Sequence, residues 1–325
     1  MPIVGLAVCT ASQLTQITTV SAQSPSPPIA VWKQIFARPR LIPAPRNNWL
    51  TEEKAALGRL LFYDRRLSGQ NNRSCVSCHN PRFGLSDNRA KPLGLDGTPL
   101  ARNAPALWNL AWGTSFYWDG REKTLESQAR VPIEHPNEMA GNLTTAAERF
   151  AESQSMLQHF RRAFPDRSKP TPGTILMALT SYVRSLVSPP TRFDRWISGN
   201  PSKFTNTEFL GFSLFVGKAG CLACHGGWRF TDDKFHDIGL DTTDPGRGTI
   251  GSDGTVVPRF KTPGLRDIAE SAPYMHDGSK ATLSEVLDHY AGGISQRPSL
   301  AANLNPKLRL SEAERRQLIA FLRSL

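Results

Sequence analysis

The sequence predicts an all-α fold of two helical domains with long loops, and three observations support this prediction. The chain has 325 residues, which is enough for two cores of ordinary domain size. A short cysteine motif occurs twice, 146 positions apart from Cys75 to Cys221, and an amphipathic helical pattern precedes each copy. Strand patterns are weak, because turn sequences such as PLGLDGTP, DTTDPGRG and GSDGTVVP interrupt the segments between the helical patterns.

Residues 1–48 are predicted to be an export signal or an extended lead-in. A short apolar stretch is followed by small and polar residues, and VSA before Gln23 is a plausible cleavage site, although a basic segment at the start is missing. A disordered tail is the alternative, and a lipid anchor at Cys9 is less favoured because Val8 is larger than the usual residue there. No apolar run approaches the roughly 20 residues that span a bilayer, so we expect a soluble protein.

The first domain is predicted to span residues 49–190. Its first helix, in the sequence TEEKAALGRLLFYD, begins at the cap residue Thr51 and places Leu57, Leu60 and Leu61 on one face. Later in the domain the helical run TILMALTSYVRSLV stops before a pair of prolines. Because proline cannot continue a helix, we expect the domain boundary at that point.

The second domain is predicted to span residues 191–325. The segment TNTEFLGFSLFVG repeats the scheme of the first helix, with Phe209, Phe212, Leu214 and Phe215 on the apolar face that is expected to meet the core. The chain ends in SEAERRQLIAFLRSL, a helical pattern with Ser311 as its cap. Each domain is therefore expected to contain a helix, a cysteine motif, a long loop-rich stretch and a closing helix.

The chain is basic, with 39 lysine and arginine residues against 28 aspartate and glutamate residues and a formal net charge of +11. Nucleic acid binding would require basic residues clustered in a stripe with aromatic residues between them. Only short pairs occur, such as Arg161 with Arg162. We therefore expect no nucleic acid partner, and a basic surface that steers an acidic protein partner.

Four of the five cysteines form two C-x-x-C pairs, and each pair is followed directly by histidine. A redox dithiol has no use for the histidine, and two pairs that share a structural zinc ion usually lie about 12 to 20 residues apart. Covalent c-type haem uses every residue, because two thiols can reach the vinyl groups of one porphyrin while the imidazole binds its iron. The two sets are Cys75, Cys78 and His79, and Cys221, Cys224 and His225.

Two covalent haem c groups are therefore predicted. Attachment of haem c takes place outside the cytoplasm, in a compartment where disulfides are permitted. This requirement agrees with the possible export signal, and we expect a periplasmic protein.

Four further stretches, together with the spacing of the two motifs, resemble the bacterial di-haem cytochrome c peroxidase and MauG superfamily. The resemblance covers about residues 45–325. It implies two cytochrome c-like domains, each binding one covalent haem c, and an oxidoreductase that uses hydrogen peroxide. The stretches are RNAPALWN (102–109), FYWDGREKTLESQA (116–129), PNEM (136–139) and APYMHDGSKATLSEVLDHY (272–290).

The resemblance implies that the oxidant reacts at the N-terminal haem. Conventional members cap this iron with a histidine sixteen residues after the proximal one, but Leu95 occupies that position and no histidine lies between His79 and His135. An open iron is expected, as in MauG, with His135 as the alternative ligand. The implied distal residues are Glu138, which can move a proton between the peroxide oxygens, and Gln128, which can donate a hydrogen bond to them.

For the C-terminal haem, conventional members place a methionine fourteen residues after the histidine that corresponds to His276. Tyr290 occupies that position, and MauG uses tyrosine in the same role. An anionic oxygen ligand lowers the potential of the iron and favours its higher oxidation states. Met275 and His289 are rival ligands, and a packed tyrosine without a ligand role is the remaining alternative. The resemblance also implies that Trp118 relays electrons between the haems.

The resemblance further implies one Ca²⁺ between the domains, bound by an asparagine side chain, two backbone carbonyls and water. The matching positions are Asn103, Ser271 and Pro273. Composition alone does not indicate calcium, because the chain has no loop rich in aspartate.

The predicted function is that of a di-haem c-type peroxidase or oxidase that activates hydrogen peroxide and receives electrons from a small redox protein, either a cytochrome c or a cupredoxin. One alternative is a MauG-like oxidase that takes electrons from residues of a partner protein. Another is an electron-transfer di-haem cytochrome without peroxidase turnover, which Glu138 disfavours.

Overall fold

The computed structural model describes residues 29–167, 169–200, 203–249 and 257–325. The predicted cleavage site, Cys9 and most of the turn GSDGTVVP lie outside these ranges. The helices are α1 (Ile29–Phe36), α2 (Glu52–Tyr63), α3 (Leu125–Glu134), α4 (Leu143–Ala151), α5 (Gln154–Ala163), α6 (Pro172–Ser185), α7 (Arg192–Ile197), α8 (Asn206–Val216), α9 (Leu283–Tyr290) and α10 (Glu312–Leu322).

The prediction of an all-α fold is confirmed. Within the described ranges, regular sheet is limited to β1 (Phe235–His236) and β2 (Phe260–Lys261), which pair antiparallel with Phe235 opposite Lys261. Short 3₁₀ turns and irregular loops connect the helices. Of the helices described, none is both long and apolar enough to cross a bilayer.

The first core forms where α2 packs against α6. Thr51 caps α2 by accepting a hydrogen bond from the Lys54 backbone, as its sequence predicts. Gly58 lies at the crossing, since a Cβ atom there would stand 1.9 Å from the Ala178 carbonyl oxygen. Leu57 and Leu61 are fully buried, but Leu60 is 41% exposed. The prediction for Leu60 was wrong because two residues correspond to about 200° around a helix, which turns Leu60 away from the contact at Gly58.

The second core repeats this crossing with α8 and α10. Ser311 caps α10 within a capping box, and Gly211 occupies the crossing, since a Cβ atom there would stand 2.0 Å from the Gln317 carbonyl oxygen. Phe212 and Phe215 are buried as predicted. Phe209 is 39% exposed, so its predicted core position was wrong for the same geometric reason: it lies two residues from the crossing glycine.

Helix α1 belongs to the second core although it precedes the first one in the chain. Trp32 and Phe36, one turn apart, are buried against aromatic residues that include Phe212, with ring centroids 5.2 and 5.8 Å from its ring. Next to α1, Arg38 donates hydrogen bonds to the Ser188 carbonyl and to Asp194. The stretch predicted as an extended lead-in therefore contains a helix that packs on the C-terminal half.

The two halves repeat the same local backbone between the cysteine motif and the helix that follows it. Matched residues lie 158 positions apart, as from Asn109 to Asp267, and three matched pairs have positive φ. These three pairs are Asn109 (φ 60°) with Asp267 (55°), Tyr117 (68°) with Met275 (73°), and Gly120 (69°) with Gly278 (68°). The helix N-caps Thr124 and Thr282 are a fourth matched pair, with extended backbone. The chain thus contains two copies of one structural module, which places α3 and α9 in equivalent positions.

Candidate active site

A cavity of about 1370 Å³ is lined by residues of both cysteine motifs. Single small-molecule sites usually enclose about 300 to 1,000 Å³, so this cavity has room for more than one group. Five of the six predicted haem attachment residues line this cavity, and they come from both halves of the chain. The motif residues that line it are Cys78, His79, Cys221, Cys224 and His225.

Both motifs fold in the same way. Cys75–Ser77 and Cys221–Ala223 form 3₁₀ turns. In each motif the backbone N–H of the histidine donates to the backbone carbonyl of the first cysteine, at 2.9 Å for His79 and 2.8 Å for His225. The cysteines form no disulfide. Burial and the neighbouring Cys78 raise the pKa of the Cys75 thiol to about 12, which is opposite to the thiolate character that a redox dithiol requires.

The two histidines meet the requirements for metal ligands. Nδ1 of His79 lies 3.0 Å from the Leu85 carbonyl oxygen, and Nδ1 of His225 lies 2.9 Å from the Phe230 carbonyl oxygen. A carbonyl can only accept, so Nδ1 carries the proton and Nε2 keeps its lone pair for iron. Burial lowers the pKa of both imidazoles, which favours the neutral form that binds a metal. The residues present therefore fit two haem c groups.

The distal residues predicted for the first haem lie together in the cavity. Gln128 and Glu138 both line it. Glu138 is close to the first motif, since its charge contributes to the raised pKa of the Cys78 thiol. Burial raises the pKa of Glu138 above its usual 4.5, against the opposing charges of His135 and Arg121.

The alternative ligand His135 is not among the residues that line the cavity. Its side chain is 45% exposed, its Nδ1 accepts a hydrogen bond from the Asn137 backbone, and the same nitrogen lies 3.9 Å from Glu138 Oε1. Leu95 is also outside the cavity, and its N–H donates to the Asn137 carbonyl at 2.9 Å. The loop around Leu95 is held by Arg73, which donates to the Leu93 carbonyl at 2.6 Å.

Near the second motif, Tyr290 ends α9 and lines the cavity. Burial raises the pKa of its hydroxyl, and so do the nearby Cys221 and Cys224 thiols. The hydroxyl has no hydrogen-bond partner among the described residues. Met275 lines the cavity as well, whereas His289 does not, and His289 Nε2 is engaged with the Ile238 carbonyl oxygen at 3.0 Å. The geometry therefore favours Tyr290 and Met275 over His289 as ligand candidates.

Trp118 lies in the cavity wall at the junction of the two halves. Its indole N–H donates to the Asn103 carbonyl at 3.0 Å, and its own carbonyl accepts from the Lys261 backbone at 2.7 Å. The Asn103 backbone in turn donates to the His276 carbonyl at 2.8 Å. The indole is thus held by Asn103 of its own half, and the Trp118 backbone is held by Lys261 of the other half.

The three predicted calcium ligands also line the cavity. Asn103 is buried, and its side-chain NH₂ donates to the carbonyls of Arg89 at 2.9 Å and Ala90 at 3.3 Å. This orientation leaves Oδ1 of Asn103 without a donor. The carbonyls of Ser271 and Pro273 accept no hydrogen bond from the described residues either, so three oxygens are available for a hard cation.

Among the cavity residues that the sequence did not predict are Tyr117, Arg121 and Pro132. Tyr117 and Arg121 belong to the stretch in which only Trp118 and Gln128 were predicted as site residues. Pro132 lies inside α3, and a proline within a helical pattern was the available signal. Pro132 also occupies the position of α3 that corresponds to Tyr290 in α9, because the two residues are 158 positions apart.

One further cluster adjoins the second motif. Ligand atoms of Cys224, Asp232 and His236 lie within 4.8 Å of one another, and His236 Nε2 is 2.7 Å from Asp232. Since Cys224 is an expected haem attachment residue, this cluster is part of the haem site and not a separate metal site.

The chain is similar in sequence to known di-haem proteins. A family model described as di-haem cytochrome c peroxidase matches residues 52–202, and one described as cytochrome c matches residues 210–325. The chain is 45% identical over 310 residues to the methylamine utilization protein MauG of Methylorubrum extorquens, which covers 94% of this chain and 88% of that protein. It is 34% identical over 242 residues to a cytochrome c551 peroxidase of Nitrosomonas europaea, which covers 73% and 72%.

The fold is similar to that of a solved protein as well. The crystal structure of a MauG-like protein associated with microbial copper homeostasis matches with a TM-score of 0.81 and 32% sequence identity. The match covers 89% of this chain and 94% of that one.

Proposed function

The chain belongs to the di-haem cytochrome c peroxidase and MauG family of oxidoreductases, and from this premise we propose that it reduces hydrogen peroxide at an open N-terminal haem. The observation that carries the proposal is the cavity shared by both cysteine motifs. It contains Glu138 near the first motif and Tyr290 near the second. The two copies of the motif therefore have different functions.

Two haem c groups, when bound, supply the electron chemistry of the reaction. The chain holds each of them by two thioether bonds and one imidazole. His79 and His225 are already oriented for this role by the carbonyls of Leu85 and Phe230. Because each Nδ1–H is fixed in a hydrogen bond, the ring cannot rotate away from the iron.

The distal side of the first haem is proposed to stay open to a small oxidant. In the equivalent position of the second module stands Tyr290, whereas the first module has Pro132, whose ring carries no donor atom. Leu95 cannot bind iron either. Neither of these two side chains therefore competes with peroxide for this site.

Glu138 and Gln128 are proposed to act on the bound peroxide. The Glu138 carboxylate takes the proton of the inner oxygen and returns it to the outer oxygen, which leaves as water. Its raised pKa brings its proton affinity closer to that needed at neutral pH. The Gln128 side-chain amide donates a hydrogen bond that holds the oxidant in place.

Trp118 is proposed to carry electrons between the two modules. Its indole N–H donates to the Asn103 carbonyl of its own half, and its backbone carbonyl accepts from the Lys261 N–H of the other half, so the residue is held between the modules. Tyr290 is proposed as a second protein ligand that would hold the C-terminal haem, where an anionic oxygen would stabilise the oxidised metal. One Ca²⁺ is proposed at Asn103, Ser271 and Pro273, between the modules.

The electron source is proposed to be a small redox protein, a cytochrome c or a cupredoxin, in the periplasm. A second candidate function is oxidation of residues in a partner protein, as in a MauG-like enzyme. It is favoured by the 45% identity to a methylamine utilization protein MauG and by the presence of a tyrosine at position 290.

An electron paramagnetic resonance spectrum of the ferric holoprotein tests the proposal, with a parallel sample that receives stoichiometric hydrogen peroxide and no reductant. We expect one high-spin and one low-spin signal, both lost on peroxide addition and slowly recovered. Two low-spin signals that do not respond to peroxide would exclude an open first haem. Electron transfer without peroxidase turnover would then be the function.

A further inference from the structure

Helix α3 lacks one regular backbone hydrogen bond at Gln128, the residue predicted on the distal side of the first haem. Pro132 lies inside the helix and has no N–H, so the carbonyl of Gln128, four residues earlier, loses its regular helical donor. Gln128 is the residue whose side-chain amide is proposed to hold the peroxide. A buried carbonyl without a hydrogen-bond donor destabilises the folded state, so a replacement donor for the Gln128 carbonyl would stabilise the end of α3.

Tyr117 supplies that donor from outside the helix. Its hydroxyl donates to the Gln128 carbonyl at 3.4 Å. The phenol is held in place, because the Arg121 guanidinium lies 3.5 Å from its ring centroid and is itself paired with Asp119 at 2.8 Å. Burial and the charge of Glu138 raise the pKa of Tyr117 to about 12, so the hydroxyl keeps its proton near neutral pH.

The second module provides an internal control for this arrangement. The residue that corresponds to Pro132 is Tyr290, which has a backbone N–H for the carbonyl of Val286 in the regular helical pattern. The residue that corresponds to Tyr117 is Met275, with nearly the same positive φ but no hydroxyl. The donor is present in the module where the helix lacks one and absent in the other.

Backbone conformation gives a second reason to assign a role to Tyr117. Its φ of 68° lies in the left-handed region, which is unfavourable for a bulky aromatic residue. The surrounding structure keeps the residue in this conformation, and the conformation places its hydroxyl at the α3 carbonyl. A residue that only filled space would not need the hydroxyl.

We propose that Tyr117 is a positioning residue that replaces the hydrogen bond removed by Pro132 and thereby fixes Gln128 over the first haem. The inference rests on the proposed role of Gln128 in the peroxide reaction. Tyr117 itself transfers no proton and no electron in this scheme. It sets the position of the amide that the oxidant meets.

A double-mutant cycle on the holoprotein tests the inference, with Y117F, P132A and the double variant. In P132A the backbone of residue 132 regains an N–H for the Gln128 carbonyl, so the Tyr117 hydroxyl becomes dispensable. Two quantities are measured: the affinity of the ferric first haem for fluoride, which accepts a hydrogen bond from a distal amide, and the rate constant with hydrogen peroxide. Y63F, at a half-exposed position outside the cavity, is the control.

We expect Y117F to weaken fluoride binding and slow the peroxide reaction about tenfold, the size of effect that one lost hydrogen bond to a buried group produces. In the P132A background the same change should alter both by less than twofold. Equal effects in the two backgrounds, or no effect of Y117F, would overturn the inference. If Y117F takes up little haem, recovery of haem binding in the double variant supports it, and continued loss contradicts it.

The two proposals can fail separately. If the wild type does not react with peroxide but the fluoride cycle shows the coupling, the proposed function is wrong and the positioning role stands. If the wild type reacts with peroxide but the fluoride cycle shows no coupling, the positioning role is wrong and the proposed function stands.

Discussion

The two modules of this chain are alike on the proximal side of their haem sites and different on the distal side. Both fix the proximal imidazole with a backbone carbonyl, at Leu85 in the first module and Phe230 in the second. On the other side, equivalent positions of α3 and α9 hold Pro132 and Tyr290. A single helical position thus distinguishes the site that is proposed to accept a small oxidant from the site whose iron is proposed to be capped.

The comparison shows how one backbone arrangement can hold two haem sites that differ in their distal residues. The proximal contacts come from backbone carbonyls of two residues with positive φ, Leu85 (63°) and Phe230 (57°), and they persist in both copies. The predicted distal residues are individual side chains of α3, of the loop after α3 and of α9, which a few substitutions can replace. The proposed difference in function therefore requires little change in the fold.

The largest expected effect is at the distal carboxylate of the first module. Glu138→Gln keeps the shape of the side chain but removes the proton acceptor, and we expect kcat/KM for hydrogen peroxide to fall by about 10²- to 10⁴-fold. Glu134→Gln is the matched control, because Glu134 ends α3 four residues before Glu138 but is exposed and paired with Arg130. A loss of the same size in both variants would show that Glu138 acts only structurally.

The same carboxylate predicts a pH dependence. Burial raises the pKa of Glu138 above 4.5, with His135, Arg121 and Tyr117 as the titratable or charged groups around it. The carboxylate form is the active one, so kcat/KM should be complete above this raised pKa and decline as the pH falls through it. The acid limb should disappear in Glu138→Gln, and an unchanged limb would assign it to another group.

Removing the distal ligand of the second module should make that module resemble the first. In Tyr290→Phe we expect the low-spin ferric signal to be replaced by a second high-spin signal, and the reduction potential to shift on the order of 100 mV, within the range of about 0.8 V that axial ligands cover. Tyr274→Phe is the control, since its hydroxyl donates to the Ile268 carbonyl. If Met275→Leu instead removes the low-spin signal, methionine is the ligand.

The smallest effects are expected at the two helix crossings, where the modules are most alike. Gly58→Ala and Gly211→Ala each place a methyl group about 2 Å from a carbonyl oxygen of the partner helix. Such overpacking costs about 1–3 kcal/mol of unfolding free energy in each case. Gly173→Ala, whose Cβ would meet only the Thr171 hydroxyl at 3.9 Å, should be nearly neutral in thermal unfolding. Equal stability of all three variants would contradict the close contact of Gly58 and Gly211 with their partner helices.

Sequence reasoning reached the parts of the molecule that depend on short spacing. The haem motifs, the cap residues Thr51 and Ser311 and the helices of both cores follow from local patterns. Leu60 and Phe209 were predicted to be buried because periodicity defines an apolar face but not which residue lies at the centre of a crossing. That centre is a glycine in both cores, and only the partner helix reveals it.

The distal sites show where the sequence becomes insufficient. Glu138, Gln128 and Tyr290 came from resemblance and not from any local pattern, since single polar residues in loops and helices usually serve no catalytic purpose. The pairing of Tyr117 with Pro132 could not be predicted at all. It depends on a contact between separate segments and on the structural repeat, which sequence divergence hides between Tyr117 and Met275.

The position of α1 has a consequence for the order of biosynthesis. Trp32 is made about 180 residues before Phe212, its partner in the second core, and the whole first module lies between them. Because synthesis proceeds from the amino end, the first module can fold before the surface that binds α1 has been synthesised. Phe36 of the same helix stacks on Phe230, which follows the second haem attachment sequence, so the contacts of α1 are complete only after both attachment sequences have been made.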